Sequence, residues 1–155
     1  MCELWAMLAN TSPRDGLNLE DQHFTPERLR GIEQSMEIQG TQRWTMYVRE
    51  RESGSLVGYS EMDFDPEQPH LIFQDATGVQ PEFRGRGLGR WLKAAMLERL
   101  LHEKPEVKHV RTGNADSNGA MLKINTALGF KPHSAHVQWQ VETEKVLELL
   151  RSKVA

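Results

Sequence analysis

The stretch VQPEFRGRGLGRWLKAAMLERLL, Val79 to Leu101, joins a basic, glycine-rich loop to a helical apolar pattern. Three glycines and three arginines fall within the seven residues from Arg84 to Arg90. Glycines lack the Cβ atom that keeps a ligand away from the backbone, and the free N–H groups at a helix N-terminus favour negative charge. The stretch therefore predicts a phosphate-binding loop between a strand and a helix.

The spacing of the glycines argues against two common nucleotide sites. A P-loop requires a Gly-Lys pair, and the loop contains none. The dinucleotide fingerprint G-x-G-x-x-G also fails, because Gly85, Gly87 and Gly89 are spaced two and two, and an acidic ribose ligand fits only loosely at Glu103 or Glu106. An ATP-type P-loop and a NAD-type oxidoreductase are both disfavoured.

The composition indicates a globular protein that binds no nucleic acid and enters no membrane. The 155 residues are 38% hydrophobic and 26% charged, which suits one domain over residues 1–155. The net charge of −3 lacks the surplus of Lys and Arg that phosphate backbones require. No apolar run approaches the ~20 residues of a membrane span, and the N-terminus lacks the pattern of a secretory signal.

Cysteine and histidine usage points to a metal-free protein of the cytoplasm. A lone cysteine, Cys2, cannot form an internal disulfide and suits a reducing compartment. The six histidines are scattered, and only His133 and His136 are close together, without a Cys or carboxylate partner at ligand spacing. We therefore expect a cytoplasmic location and no bound metal.

Periodicity and breakers predict alternating helices and strands along the chain. Helices are predicted at Cys2–Asn10, from Pro26 to about Ile38 with Thr25 as N-cap, at Leu88–His102, at Asn118–Leu128 and at the C-terminus. Strands are predicted in a hairpin of RWTMYVRE and LVGYSEMDF, and at Leu71–Val79, Val107–Thr112 and Ala135–Val141. The third helix carries an apolar stripe of Leu88, Trp91, Leu92, Ala95, Met96 and Leu100. Strand, glycine loop, helix and strand form a βαβ unit, with the loop at the carboxyl edge of the sheet.

Two motifs together resemble the GNAT superfamily of acyl-CoA-dependent N-acetyltransferases. The first is Arg-x-x-Gly-x-Gly, at Arg84, Gly87 and Gly89, preceded by Val79-x-Pro81. The second is NADSNGAMLKINTALGFKP, residues 114–132, which is similar to the family's later Asn-rich loop, helix and Leu-Gly-Phe ending. The resemblance implies a mixed α/β (α+β) fold with a central, mostly antiparallel sheet, a βαβ acyl-CoA site and flanking helices.

The resemblance is greatest to the second half of two-domain members such as mycothiol synthase-like proteins. Those chains carry two such folds in tandem, whereas this one has room for one. Its first residues read as a helix where the family begins with a strand. We therefore expect either a truncated chain or a first strand that is missing or supplied by a neighbour.

The resemblance also implies acetyl-CoA as cosubstrate and assigns the residues that contact it. These positions are Val79, Arg84, Gly85, Arg86, Gly87, Leu88, Gly89, Arg90, Asn114 and Asn118. The backbone N–H of Val79 is expected to polarise the thioester carbonyl during direct attack by an amine. Met121 is expected to pack in the core and not on the ligand.

The identity of the acid and the base stays open at this level. The base is either Glu61, on the second hairpin strand, or Asp75, which strict alternation places on the face of Thr77 and Val79. Asn125 occupies the position of the family's tyrosine, and an amide cannot act as an acid.

Two functions follow from the sequence. The chain is either an N-acetyltransferase acting on the amine of a small molecule or peptide, or a non-catalytic acyl-CoA-binding or structural half of a tandem protein. Acidic residues at Glu61, Asp63, Asp65 and Glu67 suit a cationic amine, though a solvated loop explains them equally well. A homodimer and association with a second GNAT half are both open as assemblies, and the apolar C-terminal VLELL suits either a dimer contact or a helix packed on its own core.

Overall fold

A computed structural model describes residues 1–154. The helices are α1 (Cys2–Asn10), α2 (Pro26–Ile38), α3 (Leu88–Glu103), α4 (Gly119–Ala127) and α5 (Thr143–Val154). The strands are β1 (Gln42–Arg49), β2 (Leu56–Phe64), β3 (Leu71–Val79) and β4 (His109–Arg111), and one 3-10 turn covers Pro81–Phe83. The predicted mixed α+β fold with a mostly antiparallel sheet is confirmed.

The sheet has the order β1-β2-β3-β4. The first three strands are antiparallel neighbours, and β4 lies parallel to β3. The predicted βαβ unit therefore consists of β3, α3 and β4. Strand β4 is shorter than the predicted Val107–Thr112, because it pairs only with Leu71–Phe73. Within the described residues, the carboxyl half of β3 has a strand neighbour on one side only, which leaves a cleft beside it.

Helices cover both faces of the sheet. On one face, α3 buries Met96 and Leu100 in a cluster with Met62, and it buries Leu92 in a cluster with Val57 and Val79. Contrary to the predicted apolar stripe, Trp91 is exposed. It is the neighbour of Leu92 on a helix that turns about 100° per residue, so it points away from the line that Leu92, Met96 and Leu100 form.

On the other face, α1 supplies Leu4, Trp5 and Leu8 to a second cluster with Leu29 of α2 and Tyr59 of β2. The predicted start of α2 is confirmed. Thr25 caps it by accepting a hydrogen bond from the N–H of Arg28 at 3.2 Å. Its first helical residue is a proline, whose missing N–H would have no helical partner at that position.

The prediction of a strand at Ala135–Val141 is wrong. The segment belongs to no helix or strand, and Trp139 is 93% exposed. Alternation of apolar and polar residues gives an extended segment two distinct faces, but a strand also needs a neighbouring strand edge. No described strand pairs with it. Its Gln140 instead bonds the backbone of Asn18, accepting from the N–H at 2.9 Å and donating to the carbonyl at 3.3 Å.

None of the helices among residues 1–154 is both long enough and apolar enough to pass through a bilayer.

Candidate active site

A β-bulge in β3 sets the geometry of the site. Ser60 pairs with Thr77 and Met62 pairs with Gln74, so two residues of β3, Asp75 and Ala76, lie opposite the single residue between them on β2. The side chains of Gln74, Ser60 and Thr77 are joined by hydrogen bonds of 3.2 and 2.8 Å and share one face of the sheet. The bulge therefore interrupts the alternation of side chains along β3.

The bulge corrects the predicted orientation of Asp75. Its carboxylate lies 3.7 Å from Arg43, which also contacts Glu61, and Glu61 follows Ser60 and so faces the opposite side of β2. Asp75 therefore shares a face with Glu61 and not with Thr77. The two candidate bases lie together on the α1 side of the sheet.

Arg43 holds three carboxylates at this face. Its Nε and Nη2 donate to the two oxygens of Asp63 at 2.6 and 2.8 Å. Glu61 lies 3.9 Å from Nη1, and Asp75 lies 3.7 Å from Nη2. Sequence reasoning missed Arg43, although the hairpin register that places it opposite Asp63 was a usable signal.

Glu61 is the buried member of this cluster. Its side chain is 3% exposed and accepts a hydrogen bond from the Thr45 hydroxyl at 3.2 Å. Burial raises the pKa of Glu61 to about 7, although the nearby Arg43 acts in the opposite direction. Asp75, with a side chain 58% exposed, is the more solvated of the two candidates. A carboxyl group with a pKa near 7 is suited to exchange a proton at neutral pH.

The backbone N–H of Val79 points into the cleft beside β3. Gln80 donates its N–H to the carbonyl of Val57 at 2.8 Å, and Val79 lies opposite Gly58. In an antiparallel ladder these bonds fall on alternate residues, so the N–H and carbonyl of Val79 are directed away from β2. Arg84 donates its Nε to that carbonyl at 2.9 Å. This contact ties the glycine loop to the end of β3.

The glycine loop presents unpaired backbone donors at the start of α3. Gly85 and Gly87 have φ values of +75° and +77°, which residues with a Cβ rarely adopt. Gly87 is the N-cap of α3 and offers no side chain to the first turn. The first helical bond runs from the N–H of Trp91 to Gly87, so the N–H groups of the preceding turn have no acceptor within the helix.

The start of α4 completes the wall opposite the loop. Asn118 is the N-cap of α4, and its Oδ1 accepts from the N–H of Met121 at 3.2 Å. Only its Nδ2 therefore remains to donate to a ligand amide. Contrary to the expected packing in the core, Met121 is half-buried and lines the cavity.

One cavity of about 750 Å³ connects these features. Among the predicted site residues, it is lined by Glu61, Asp75, Val79, Arg84, Gly85, Gly87, Leu88, Gly89, Arg90 and Asn118. Two predicted contacts, Arg86 and Asn114, do not line it. The guanidinium of Arg86 lies instead over the ring of Phe83, 5.2 Å from the centroid. Sequence spacing placed the loop correctly but did not give the direction of each side chain.

Asn125, at the position of the family's tyrosine, is buried and does not line the cavity. Its Oδ1 accepts a hydrogen bond of 2.6 Å from Nζ of Lys93, which is 1% exposed. The Lys93 ammonium also lies 5.3 Å from the centroid of the Phe130 ring. Burial lowers the pKa of Lys93 to about 8. This pair joins α3 to α4, and sequence reasoning did not anticipate it.

The N-terminal segment forms part of the cavity wall. Trp5, Leu8, Thr11, Ser12 and Pro13 contribute to its lining. Nη2 of Arg84 lies 3.5 Å from the Thr11 hydroxyl, and Ser117 donates a hydrogen bond to Asp15. The segment therefore touches both loops that flank the cleft, which no sequence motif indicated.

Among residues 1–154, no group of three or more His, Cys, Asp or Glu side chains is arranged to hold a metal ion.

Comparison with known proteins agrees with the fold. A model of the Acetyltransferase (GNAT) family matches residues 12–130. The chain therefore belongs to the GNAT acetyltransferase family. Among solved structures, a tandem GNAT protein from the clavulanic acid biosynthesis pathway is 34% identical, with a TM-score of 0.66. The match covers 69% of this chain and 33% of that protein, so the chain corresponds to about one third of that relative's length.

More distant structures support the fold alone. A Trypanosoma brucei acetyltransferase is 17% identical, with a TM-score of 0.63 over 90% of this chain and 92% of that one. AAC(6')-Iy, solved with a CoA-containing bisubstrate analog, is 17% identical, with a TM-score of 0.59 over 91% of both chains. No match was found among curated proteins.

Proposed function

We propose that this chain is an N-acetyltransferase that moves an acetyl group from acetyl-CoA to the amine of a small molecule or peptide. The observation that supports this best is the glycine loop. It contains two glycines with positive φ and leads into a helix N-terminus that has no side-chain cap. Arg84 and Arg90 also line the cavity there. Such a wall suits a pyrophosphate, because it offers several backbone donors and positive charge without a Cβ in the way.

The rest of the cleft suits the pantetheine arm and its thioester. In the proposed reaction, the amine nitrogen forms a bond to the thioester carbonyl carbon, and the carbon–sulfur bond breaks to release CoA. The N–H of Val79 stabilises charge on the carbonyl oxygen, because it has no acceptor on β2. Glu61 takes the proton that the amine loses, and Asp75 is the second candidate for that role.

A non-catalytic role is the second candidate function. It is favoured by Asn125, which replaces the family's tyrosine and is held by Lys93 away from the cavity. Without that acid, the thiolate must take its proton from water or from another group. Under this alternative the chain binds acyl-CoA, or supports a tandem partner, without turnover.

Two measurements separate these functions. Isothermal titration with acetyl-CoA, NADH and ATP should show binding of acetyl-CoA only. Thiol release in the presence of a panel of amines should then show turnover, which falls by at least about a hundredfold in Glu61→Gln. Asp75→Asn is the matched variant, since it removes a neighbouring carboxylate from the same face. If the folded protein does not bind acetyl-CoA, the proposal is refuted. Binding of acetyl-CoA without thiol release would favour the non-catalytic role.

We place the protein in the cytoplasm, because its single cysteine suits a reducing compartment and acetyl-CoA is available there. As its protein partner we favour a second copy of the chain. Helix α5 exposes Val146, Leu147, Leu149 and Leu150. In an antiparallel pair of such helices centred near Leu147, Glu144 would lie opposite the partner's Arg151, so the charges complement each other.

A further inference from the structure

The cavity continues past the Val79 cleft towards the bulge in β3. Residues 75–79 of β3 line it without interruption, over about 13 Å of extended chain. Beside the bulge its lining includes Arg43, Glu61 and Asp75, and the neighbouring lining residues are Tyr59, which lies opposite Gly78, and Trp5, Phe24 and Ile32. This end lies beyond the loop proposed to hold acyl-CoA. It is the space left for the acceptor, and the inference below rests on the proposed acetyltransferase function.

The charges at this end favour a cation and disfavour an anion. Three carboxylates surround one guanidinium, and Arg43 already forms a two-point contact with Asp63. Among the described residues that line the bulge end, Arg43 is the only cation. A carboxylate or phosphate on the acceptor would therefore meet negative charge and no free cationic partner. The partly exposed Asp75 is open to an ammonium group.

The remaining wall is aromatic and aliphatic. Trp5 stacks on Tyr59 with ring centroids 5.5 Å apart, and Phe24 meets Trp5 edge-on at 5.6 Å. Ile32 of α2 adds a branched aliphatic side chain. Hydrocarbon or aromatic groups gain by leaving water at such a wall. Phe24 and Ile32 carry no polar side-chain atom, and Trp5 Nε1 is a buried donor without a partner among the described residues, so most hydroxyl groups of a sugar would lose their water here without a replacement.

We infer that the acceptor is a monoamine whose ammonium group is joined by a short chain to an apolar or aromatic body, with no anionic group beside the amine. The ammonium group lies near Glu61 and Asp75, and the body packs among Trp5, Phe24 and Ile32. Amino acids, nucleotide-linked amines and polyhydroxylated amino sugars are disfavoured, because each brings groups that this end of the cavity leaves unpaired.

Three amines test the inference directly. They are 2-phenylethylamine, phenylalanine, which adds only a carboxylate to the same body, and glucosamine, which replaces the ring with hydroxyl-bearing carbons. Thiol release is measured for each at saturating acetyl-CoA. We expect kcat/KM for 2-phenylethylamine to exceed that of the other two by at least about tenfold. Asp75→Asn should narrow the gap between 2-phenylethylamine and phenylalanine, because it removes a negative charge from the acceptor end.

Wall variants add a second readout. Phe24→Ala should raise KM for 2-phenylethylamine by about tenfold while leaving the acetyl-CoA dissociation constant unchanged. Ile32→Ala serves the same purpose if the first variant fails to fold. Trp91→Ala is the matched control, because Trp91 is an exposed aromatic residue of α3 outside the cavity.

The outcomes distinguish this inference from the proposed function. Equal or faster turnover of phenylalanine or glucosamine, with acetyl-CoA bound, overturns the acceptor class but leaves the acetyltransferase proposal intact. Acetyl-CoA binding with no turnover of any amine overturns both and favours the non-catalytic role. Loss of acetyl-CoA binding in the folded wild-type protein refutes the proposed function itself, and the acceptor class with it.

Discussion

Glu61 combines deep burial with a single hydrogen bond from Thr45 and a guanidinium 3.9 Å away. Its position on the second strand of the hairpin made it a candidate base from the sequence alone. Its burial, and the resulting pKa near 7, depend on α1 and α2 covering this face of the sheet. Such contacts between distant segments cannot be read from strand periodicity. The same limit explains the wrong face assigned to Asp75, since a bulge is a property of paired strands.

The pH dependence of activity should report the ionisation of Glu61. The carboxylate is the active form of a base, so kcat/KM should rise about tenfold per pH unit below pH 7 and level off above it. An amine acceptor with a pKa near that of lysine, about 10.4, titrates outside this window. The profile is measured by thiol release between pH 5 and 9. The inflection near pH 7 in the kcat/KM profile should persist in the Asp75→Asn variant. If it disappears in that variant, Asp75 and not Glu61 is the base.

Glu61 should also make stability depend on pH. Below about pH 4.5 the carboxyl group is protonated in both the folded and the unfolded state, so wild type and Glu61→Gln should have similar free energies of unfolding. Above about pH 7 it is ionised in both states, and the wild type bears the full cost of the buried charge. Urea unfolding should therefore show Glu61→Gln gaining up to about 3 kcal/mol over wild type as pH rises through this window. A constant difference across that range would contradict the burial argument.

The glycine loop and α3 form the element that the sequence predicted best. The spacing of the glycines and the start of the helix at Leu88 follow from local chemistry, which requires no tertiary information, and the crossover to β4 follows from the general rule for βαβ units. Directions of individual side chains were less predictable. Arg84 turns back to the carbonyl of Val79, whereas Arg86 packs on Phe83.

Gly87→Ala should test the loop. Its φ of +77° strains any residue with a Cβ, although the added methyl group would meet no neighbour. We expect a loss of about 1 kcal/mol in stability and weaker binding of acetyl-CoA, measured by urea unfolding and calorimetry. Gly31→Ala in α2 is the matched control. Position 31 has open space around it and no positive φ. The Gly31→Ala variant should therefore gain up to about 1 kcal/mol in its free energy of unfolding and bind acetyl-CoA normally.

The contact between α3 and α4 rests on a buried charge. At pH 7, Lys93 is protonated in both states and its ammonium carries the cost of burial, which is relieved as pH rises from about 8 towards 10.5. The double variant Lys93→Met with Asn125→Leu should therefore have a free energy of unfolding about 2–3 kcal/mol higher than that of the wild type at pH 7, as measured by urea unfolding. The gain should be smaller at pH 10. Lys93→Met alone should gain less, because it leaves the buried Oδ1 of Asn125 without a donor. A less stable double variant would mean that the pair is worth more than its desolvation cost.

At the scale of the whole molecule, apolar surface is concentrated in the last part of the chain. Val137, Trp139 and Val141 are exposed on the extended segment, followed by four apolar residues of α5. Gln140 faces its own domain through Asn18, so the apolar positions that alternate with it face outward. The alternation predicted a strand because two distinct faces are typical of one, but alternation alone does not supply the neighbouring strand edge that a strand needs.

Mass measurement in solution should show a dimer. Leu150→Glu places a charge on the exposed apolar side of α5 and should raise the dimer dissociation constant by at least about tenfold. Ser152→Glu is the control, because it adds the same charge on α5 at a polar position. A wild-type monomer up to about 100 µM would exclude the stable self-pairing proposed here and direct attention to a separate GNAT half as the partner.

At Gly78 the N-terminal helix and the sheet meet without spare room. A Cβ built there would lie 2.7 Å from Cδ1 of Leu8, closer than real carbon atoms approach. A larger residue at position 78 therefore requires the side chain of Leu8 to shift or to be replaced by a smaller one, which couples two sites far apart in the chain. In relatives of this protein, the size of the residue at the position of Gly78 should predict the size of the residue at the position of Leu8.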